Sequence, residues 1–298
     1  MAPSDDPTLL YGIGATKAGT SWLYRTLANR EDCALSAVKE THYWDTFDLD
    51  RCDKQIGALT RQRIEFEEAA RAADVAGQGW KARNMARRIA SITRLIDMLA
   101  RPRDDHGAYV AYLMAEAGPR TRLIADICPS YALLPAARYA QMAKLDENAR
   151  FLYLMRDPLA RLWSAVRMQA KRQRQQGEDL AEKANNTLWR ILHKGAETHV
   201  TQRGDYGAVL KKLSETVPPE QRAFLFMEEL LSDDGYGDLC RFLGLPLAPA
   251  PVEERVHAGA EIAMRPHLLR DAKAFLAPQY EAVARHMGRL PAAWEAGI

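Results

Sequence analysis

The stretch TLLYGIGATKAGTS, residues 8–21, constrains this chain more than any other. Leu9-Leu10-Tyr11, bounded by Pro7 and Gly12, is the short apolar run of a buried strand, although periodicity alone leaves a buried helical segment open. From Ser21 to Leu27 the apolar residues are spaced as on one helix face. Strand, glycine-bounded turn and helix start together make a phosphate cradle. The turn aims its N–H groups inward, and the helix N-terminus adds unpaired donors and a partial positive charge.

The details distinguish this turn from an NTP-binding loop, whose pattern is G-x-x-x-x-G-K-[ST]. Gly14 and Gly19 keep the glycine spacing, but Thr20 follows Gly19 and the lysine stands earlier, at Lys17. A mid-loop ammonium reaches a different atom from one at the loop's end. Thr20 and Ser21 leave two hydroxyls at the helix start. This reading gives a loop that holds a 5′-phosphate and sets one cation on the atom beyond it. A plain strand-to-helix turn with an incidental lysine is the alternative.

GATKAGTSWL resembles the 5′-phosphosulfate loop of sulfotransferases that use 3′-phosphoadenosine 5′-phosphosulfate (PAPS). On that resemblance Lys17, Ala18, Gly19, Thr20, Ser21 and Trp22 bind the donor. Two further segments extend it. Arg156-Asp157-Pro158-Leu159-Ala160-Arg161-Leu162-Trp163-Ser164 resembles the family's 3′-phosphate segment, an arginine followed eight residues later by a serine. Arginine suits bidentate phosphate contact. Arg161 fits the RDPxxR form of bacterial members, and a helix-surface role fits it equally. Lys39-Glu40-Thr41-His42-Tyr43-Trp44-Asp45 resembles the lysine-glutamate-x-histidine loop of the glycan (heparan sulfate-type) branch. There the glutamate is the proposed base, which places that role on Glu40. Sulfuryl transfer to an alcohol needs a base within hydrogen-bond reach of the acceptor proton. His42 is the alternative base or an orienting residue. Lys39 either lies near the donor sulfate or pairs with Glu40, and Asp45 stands behind them. In Asp126-Ile127-Cys128-Pro129-Ser130-Tyr131 the resemblance places Tyr131 at the acceptor site. Arg203-Gly204-Asp205-Tyr206 and Glu228-Glu229-Leu230 are weaker markers, and Ala263-Met264-Arg265 is a candidate nucleotide-contacting loop. The resemblance spans about residues 9–245.

Further short strands are expected at Cys33–Val38, Arg122–Ile127, Arg150–Met155 and Ala223–Met227, alternating with helices. That alternation predicts one α/β domain over residues 1–298, with about four or five parallel strands flanked by helices. The resemblance makes the fold P-loop nucleotide-hydrolase-like. Residues of about 59–117 read as a helical insertion, and about 246–298 as a C-terminal helical segment. Asp157 is a candidate N-cap, with Pro158 at the first helical position. Arg83, Arg87, Arg88 and Arg94 read first as a solvated helix face, with an anionic-polymer surface as the alternative.

A net charge of +2 gives no sign of a nucleic-acid partner. The four cysteines form no C-x-x-C pair, which argues against a zinc knuckle or a disulfide framework. With no signal-like start and no run of 18 apolar residues, a cytoplasmic protein without a membrane span is expected. The expected cofactors are PAPS as co-substrate and adenosine 3′,5′-bisphosphate (PAP) as product, with no metal. The acceptor is a hydroxyl or amine of a glycan or other small molecule. A P-loop kinase or NTPase, and a non-catalytic sulfotransferase-like nucleotide-binding protein, are the rival readings. Oligomeric state is not legible in the sequence.

Overall fold

Five parallel strands form the sheet in the computed structural model, which describes residues 6–47, 49–103, 105–251 and 262–297. They are β1 (Thr8–Gly14), β2 (Cys33–Ala34), β3 (Leu123–Ile127), β4 (Ala149–Met155) and β5 (Arg222–Phe226), in the spatial order β2-β3-β1-β4-β5. β1 is central, with Leu9 opposite Ile124 on one side and Ala149 on the other. The chain fills one side of β1 first and then crosses to the other, so a topological switch point lies beside the carboxyl end of β1. Open α/β sheets bind ligands at such a crevice.

β1, β3 and β4 are buried nearly throughout, as strands covered on both faces must be. The helices that follow β1 and β2 are α1 (Thr20–Ala28), α2 (Leu49–Val75), α3 (Gly79–Leu99) and α4 (Gly107–Met114). A 3-10 turn (Pro129–Leu133) and α5 (Ala136–Leu145) follow β3. After β4 come α6 (Pro158–Gln173), α7 (Leu180–Lys194), α8 (Thr198–Gln202) and α9 (Tyr206–Thr216). α10 (Asp233–Leu243) and α11 (Pro266–Met287) complete the helical layers. Asp157 caps α6 as expected, its Oδ1 accepting from the Ala160 N–H at 2.6 Å.

Several boundaries differ from expectation. β2 covers Cys33–Ala34 rather than Cys33–Val38. It is an edge strand, paired only with β3, and it leaves the ladder where the Ser36 carbonyl accepts from the Tyr24 hydroxyl at 2.7 Å. The insertion starts at Leu49, not near residue 59, because Cys52, Ile56 and Leu59 supply an inward helical stripe despite the charges around them. Helical structure expected from Glu228 begins at Asp233, where the Ser232 hydroxyl accepts from the Gly235 N–H. The arginines at 83, 87, 88 and 94 are exposed. All four cysteines are unpaired. Among the described residues no helix is long and apolar enough to cross a membrane. Part of the expected C-terminal segment, 252–261, lies outside the described residues, as do residues 1–5 of the N-terminus.

Candidate active site

The loop after β1 reaches α1 through Gly19, whose φ of 98° suits glycine. A Cβ there would also collide with the Met227 side chain. No side chain caps α1. The first-turn N–H groups of Thr20, Ser21 and Trp22 are therefore left for a ligand. Ala18 is fully buried and offers backbone alone. The ring of Trp22 is buried edge-on against Tyr236, so this residue too offers only its N–H. Lys17 sits in the left-handed region at φ 71°. Such conformations in non-glycine residues persist where the surroundings enforce them, often at functional sites. Burial lowers the Lys17 pKa, and the nearby cations Arg156, Arg167, Arg172 and Lys39 push it the same way. The loop is thus a concentration of positive charge with open donors.

The loop after β2 meets this cradle. The Lys39 ammonium pairs with Glu40 Oε1 at 2.8 Å and also donates to Thr20 Oγ1 at 3.3 Å. Of the two placements read for Lys39, the pair with Glu40 is present, and the same ammonium touches the α1 start. His42, at φ 56°, is the second left-handed residue of the site. Its Nδ1 faces Asp45 Oδ2 at 3.0 Å and Ser130 Oγ at 3.3 Å, while Nε2 lies 3.7 Å from Glu40 Oε2. Burial lowers the His42 pKa, but the hydrogen bond and charge of Asp45, then Glu40 and Asp126, outweigh it and the net shift is upward.

Asp126 anchors this loop from β3. Fully buried, its Oδ2 accepts from Thr41 Oγ1 at 2.8 Å, the Tyr109 hydroxyl at 2.8 Å and the Tyr131 hydroxyl at 2.7 Å. Tyr43, Trp44 and Phe47 pack with Tyr109 and His106, fixing the far end of the loop.

Arg156 stands at the end of β4, beside β1. The Tyr206 hydroxyl accepts from its N–H at 3.2 Å or donates to its carbonyl at 2.7 Å. The Asp157 N–H donates to Glu228 Oε1 at 3.0 Å, and Asp157 Oδ2 accepts from the Tyr280 hydroxyl at 2.8 Å. Ser164 lies half-buried on α6, two turns on.

The sequence from residue 10 to residue 249 matches the Sulfotransferase family. The chain belongs to the sulfotransferase family. No curated protein matches it significantly. A sulfotransferase structure from Alicyclobacillus acidocaldarius is similar in fold at 19% identity and a TM-score of 0.58, covering 97% of this chain and 98% of that one. A sulfotransferase domain from the curacin biosynthetic pathway is similar at 17% identity and a TM-score of 0.52, covering 96% and 99%.

Within this sulfotransferase, Tyr131 is fully buried, and its hydroxyl is spent on Asp126 and the Thr41 loop. Arg161 is also buried. Its guanidinium packs on Gly204, where any Cβ would collide with it, and donates to the Val200 carbonyl. The Ala263–Arg265 loop is brought beside α6 and α7: Trp163 Nε1 donates to the Ile262 carbonyl at 3.0 Å, and the Arg265 N–H to Asn185 Oδ1 at 2.9 Å. Sequence reasoning missed Ser130 and Cys128 as neighbours of His42, and Arg167 as a neighbour of Lys17. Arg167 follows Ser164 by three residues, a same-face helical spacing that was a usable signal. Glu40, His42 and Cys128 offer ligand atoms within 4.8 Å of one another. Burial drives the Cys128 thiol pKa well up, so the sulfur is a protonated, poor donor to a cation.

Proposed function

We propose that this sulfotransferase uses PAPS and transfers its sulfuryl group to a hydroxyl or amine of an acceptor, a glycan or other small metabolite. The observation that carries the reading is the Lys39 ammonium, which touches Glu40 at 2.8 Å and Thr20 at 3.3 Å. It couples a carboxylate suited to proton removal to the start of the helix that would hold the donor's 5′-phosphosulfate. In this reading Glu40 takes the acceptor proton, His42 and Asp45 orient the loop, and Lys17 balances negative charge on the bridging oxygen as the sulfur–oxygen bond breaks. The first-turn amides with Thr20 and Ser21 hold the 5′ group, while Arg156 and Ser164 take the 3′-phosphate and separate PAPS from ATP. In-line attack then relies on positioning and charge stabilisation, with no covalent intermediate on the protein. The four unpaired cysteines accord with a reduced, cytoplasmic setting.

The test is thermal unfolding with PAP, with ATP plus magnesium, and with neither. A ligand at 100 times its dissociation constant adds about 2.7 kcal/mol of apparent stability. The expected result is a raised midpoint with PAP alone, lost in Arg156→Ala. A response to ATP with magnesium alone would replace this reading with the kinase one. Transfer of radiolabelled sulfate to mixed acceptors then tests catalysis.

A further inference from the structure

Beside the Lys39–Glu40 pair opens a cleft of about 520 Å³, within the size range of small-molecule sites. Ser21, Glu40 and His42 line part of it, and the α2–α3 hairpin supplies much of the rest. The hairpin contributes an apolar surface, Leu59 and Phe66 from α2 with Ile92 from α3, beside the amides of Gln55 and Gln62. It also contributes one exposed cation, Arg88, whose guanidinium lies 5.4 Å from the centre of the Phe66 ring. Arg88 joins none of the ion pairs among the described residues. Among the described residues Glu40 is the sole carboxylate in the lining, and Lys39 pairs with it. Arg25, from α1, is a further exposed cation in the lining.

We propose that this cleft is the acceptor site and selects an amphipathic, anionic small molecule. Its apolar body lies on Leu59, Phe66 and Ile92, and an acidic group remote from the reacting hydroxyl is held by Arg88. The inference rests on Glu40 marking the transfer centre. The chemistry follows from the lining. An aliphatic and aromatic wall gains free energy by covering apolar area. A guanidinium without an ionic partner favours a planar carboxylate or a sulfate. A sugar chain would find Gln55, Gln62 and Arg88 on the hairpin, but it would also have to cover the apolar surface of Leu59, Phe66 and Ile92. In this view the hairpin inserted between β2 and β3 is the specificity element, and the transfer chemistry stays on the sheet edge.

The test measures equilibrium binding of three probes to the full chain with PAP present: ω-hydroxydecanoate, decanol and ω-aminodecanol. The carboxylate is expected to bind at least about tenfold tighter than the amine. Arg88→Glu is expected to reverse that order, and Phe66→Ala to weaken all three probes alike. Arg88 is exposed, so its replacement leaves the core intact. Equal affinities, no binding of any probe, or an order unchanged in Arg88→Glu would overturn the inference. Tighter binding of a heparan disaccharide than of ω-hydroxydecanoate would also overturn it. The response to PAP is read in the same samples. A PAP response without probe preference removes this inference and leaves the donor reading standing. The expected preference without a PAP response supports the cleft and removes the donor reading.

Discussion

Lys39 and Glu40 are sequence neighbours whose side chains form a 2.8 Å ion pair in the lining of the proposed acceptor cleft. The same ammonium reaches Thr20 at 3.3 Å, so one side chain links the candidate base to the start of α1. Glu40→Gln keeps the shape and removes the proton acceptor. It is expected to lower kcat by about 10²–10⁴-fold while PAP affinity stays within about twofold. Steady-state kinetics beside calorimetric titration of PAP checks this. An unchanged kcat would remove Glu40 from the chemistry.

Lys17 is costly to the empty protein. It is a left-handed non-glycine residue, partly buried, with its pKa lowered first by burial and then by surrounding cations. A cation whose folded pKa is depressed opposes folding at every pH where it is charged. Lys17→Met is therefore expected to raise the melting temperature of the ligand-free protein while lowering kcat. Both follow from one cause, since charge assembled for a transition state is unfavourable before the substrate arrives. Calorimetry and turnover of the same variant decide it, and an unchanged turnover number would discard the assigned role.

The Asp45–His42 pair predicts a pH signature. Burial raises the Asp45 pKa, but the hydrogen bond and charge of His42, with Ser130, outweigh it and lower the pKa. His42 is shifted up from 6.5. The histidine's contribution is complete below its ordinary pKa and is lost as pH rises through its raised folded value. The carboxylate's contribution is present above its ordinary value of 3.8 and is lost as pH falls through its lowered one. Asp45→Asn is thus expected to destabilise the protein more at pH 5 than at pH 9. It is also expected to move the His42 imidazole titration, followed by NMR, to lower pH. An unmoved titration would refute the pairing.

Asp126 carries three buried hydroxyls on one carboxylate oxygen. Asp126→Ala strands Thr41, Tyr109 and Tyr131 at once. It is expected to cost about 3 kcal/mol in denaturant unfolding, the penalty for unsatisfied buried donors. Asp126→Asn retains an acceptor and costs markedly less. Loss of turnover in Asp126→Ala beyond its loss of folded protein would show that the anchor also positions Glu40.

The shape of the loop after β1 and the start of α6 were legible because their signals are local. Gly14, Gly19 and Lys17 fix the loop by spacing and backbone conformation, and Asp157 with Pro158 starts α6 after Arg156 by capping geometry. The acceptor side was less legible. Tyr131 is assigned to the acceptor site by the family resemblance alone, with no local signal of its exposure. Its burial depends on Asp126 and on Thr41, ninety positions away. The weak markers Tyr206 and Glu228 gained meaning only when they met the backbone of Arg156 and Asp157 from 50 and 71 positions off. The sequence by itself determined the strand–loop–helix cradle, the alternation that yields a parallel sheet, and the two loops that face each other at its edge. Tertiary structure alone decided which polar groups are spent on one another, where the cleft opens, and that the α2–α3 hairpin walls it. The reason is physical: backbone conformation and capping are set within a few residues, whereas burial and hydrogen-bond partners depend on which strands become neighbours.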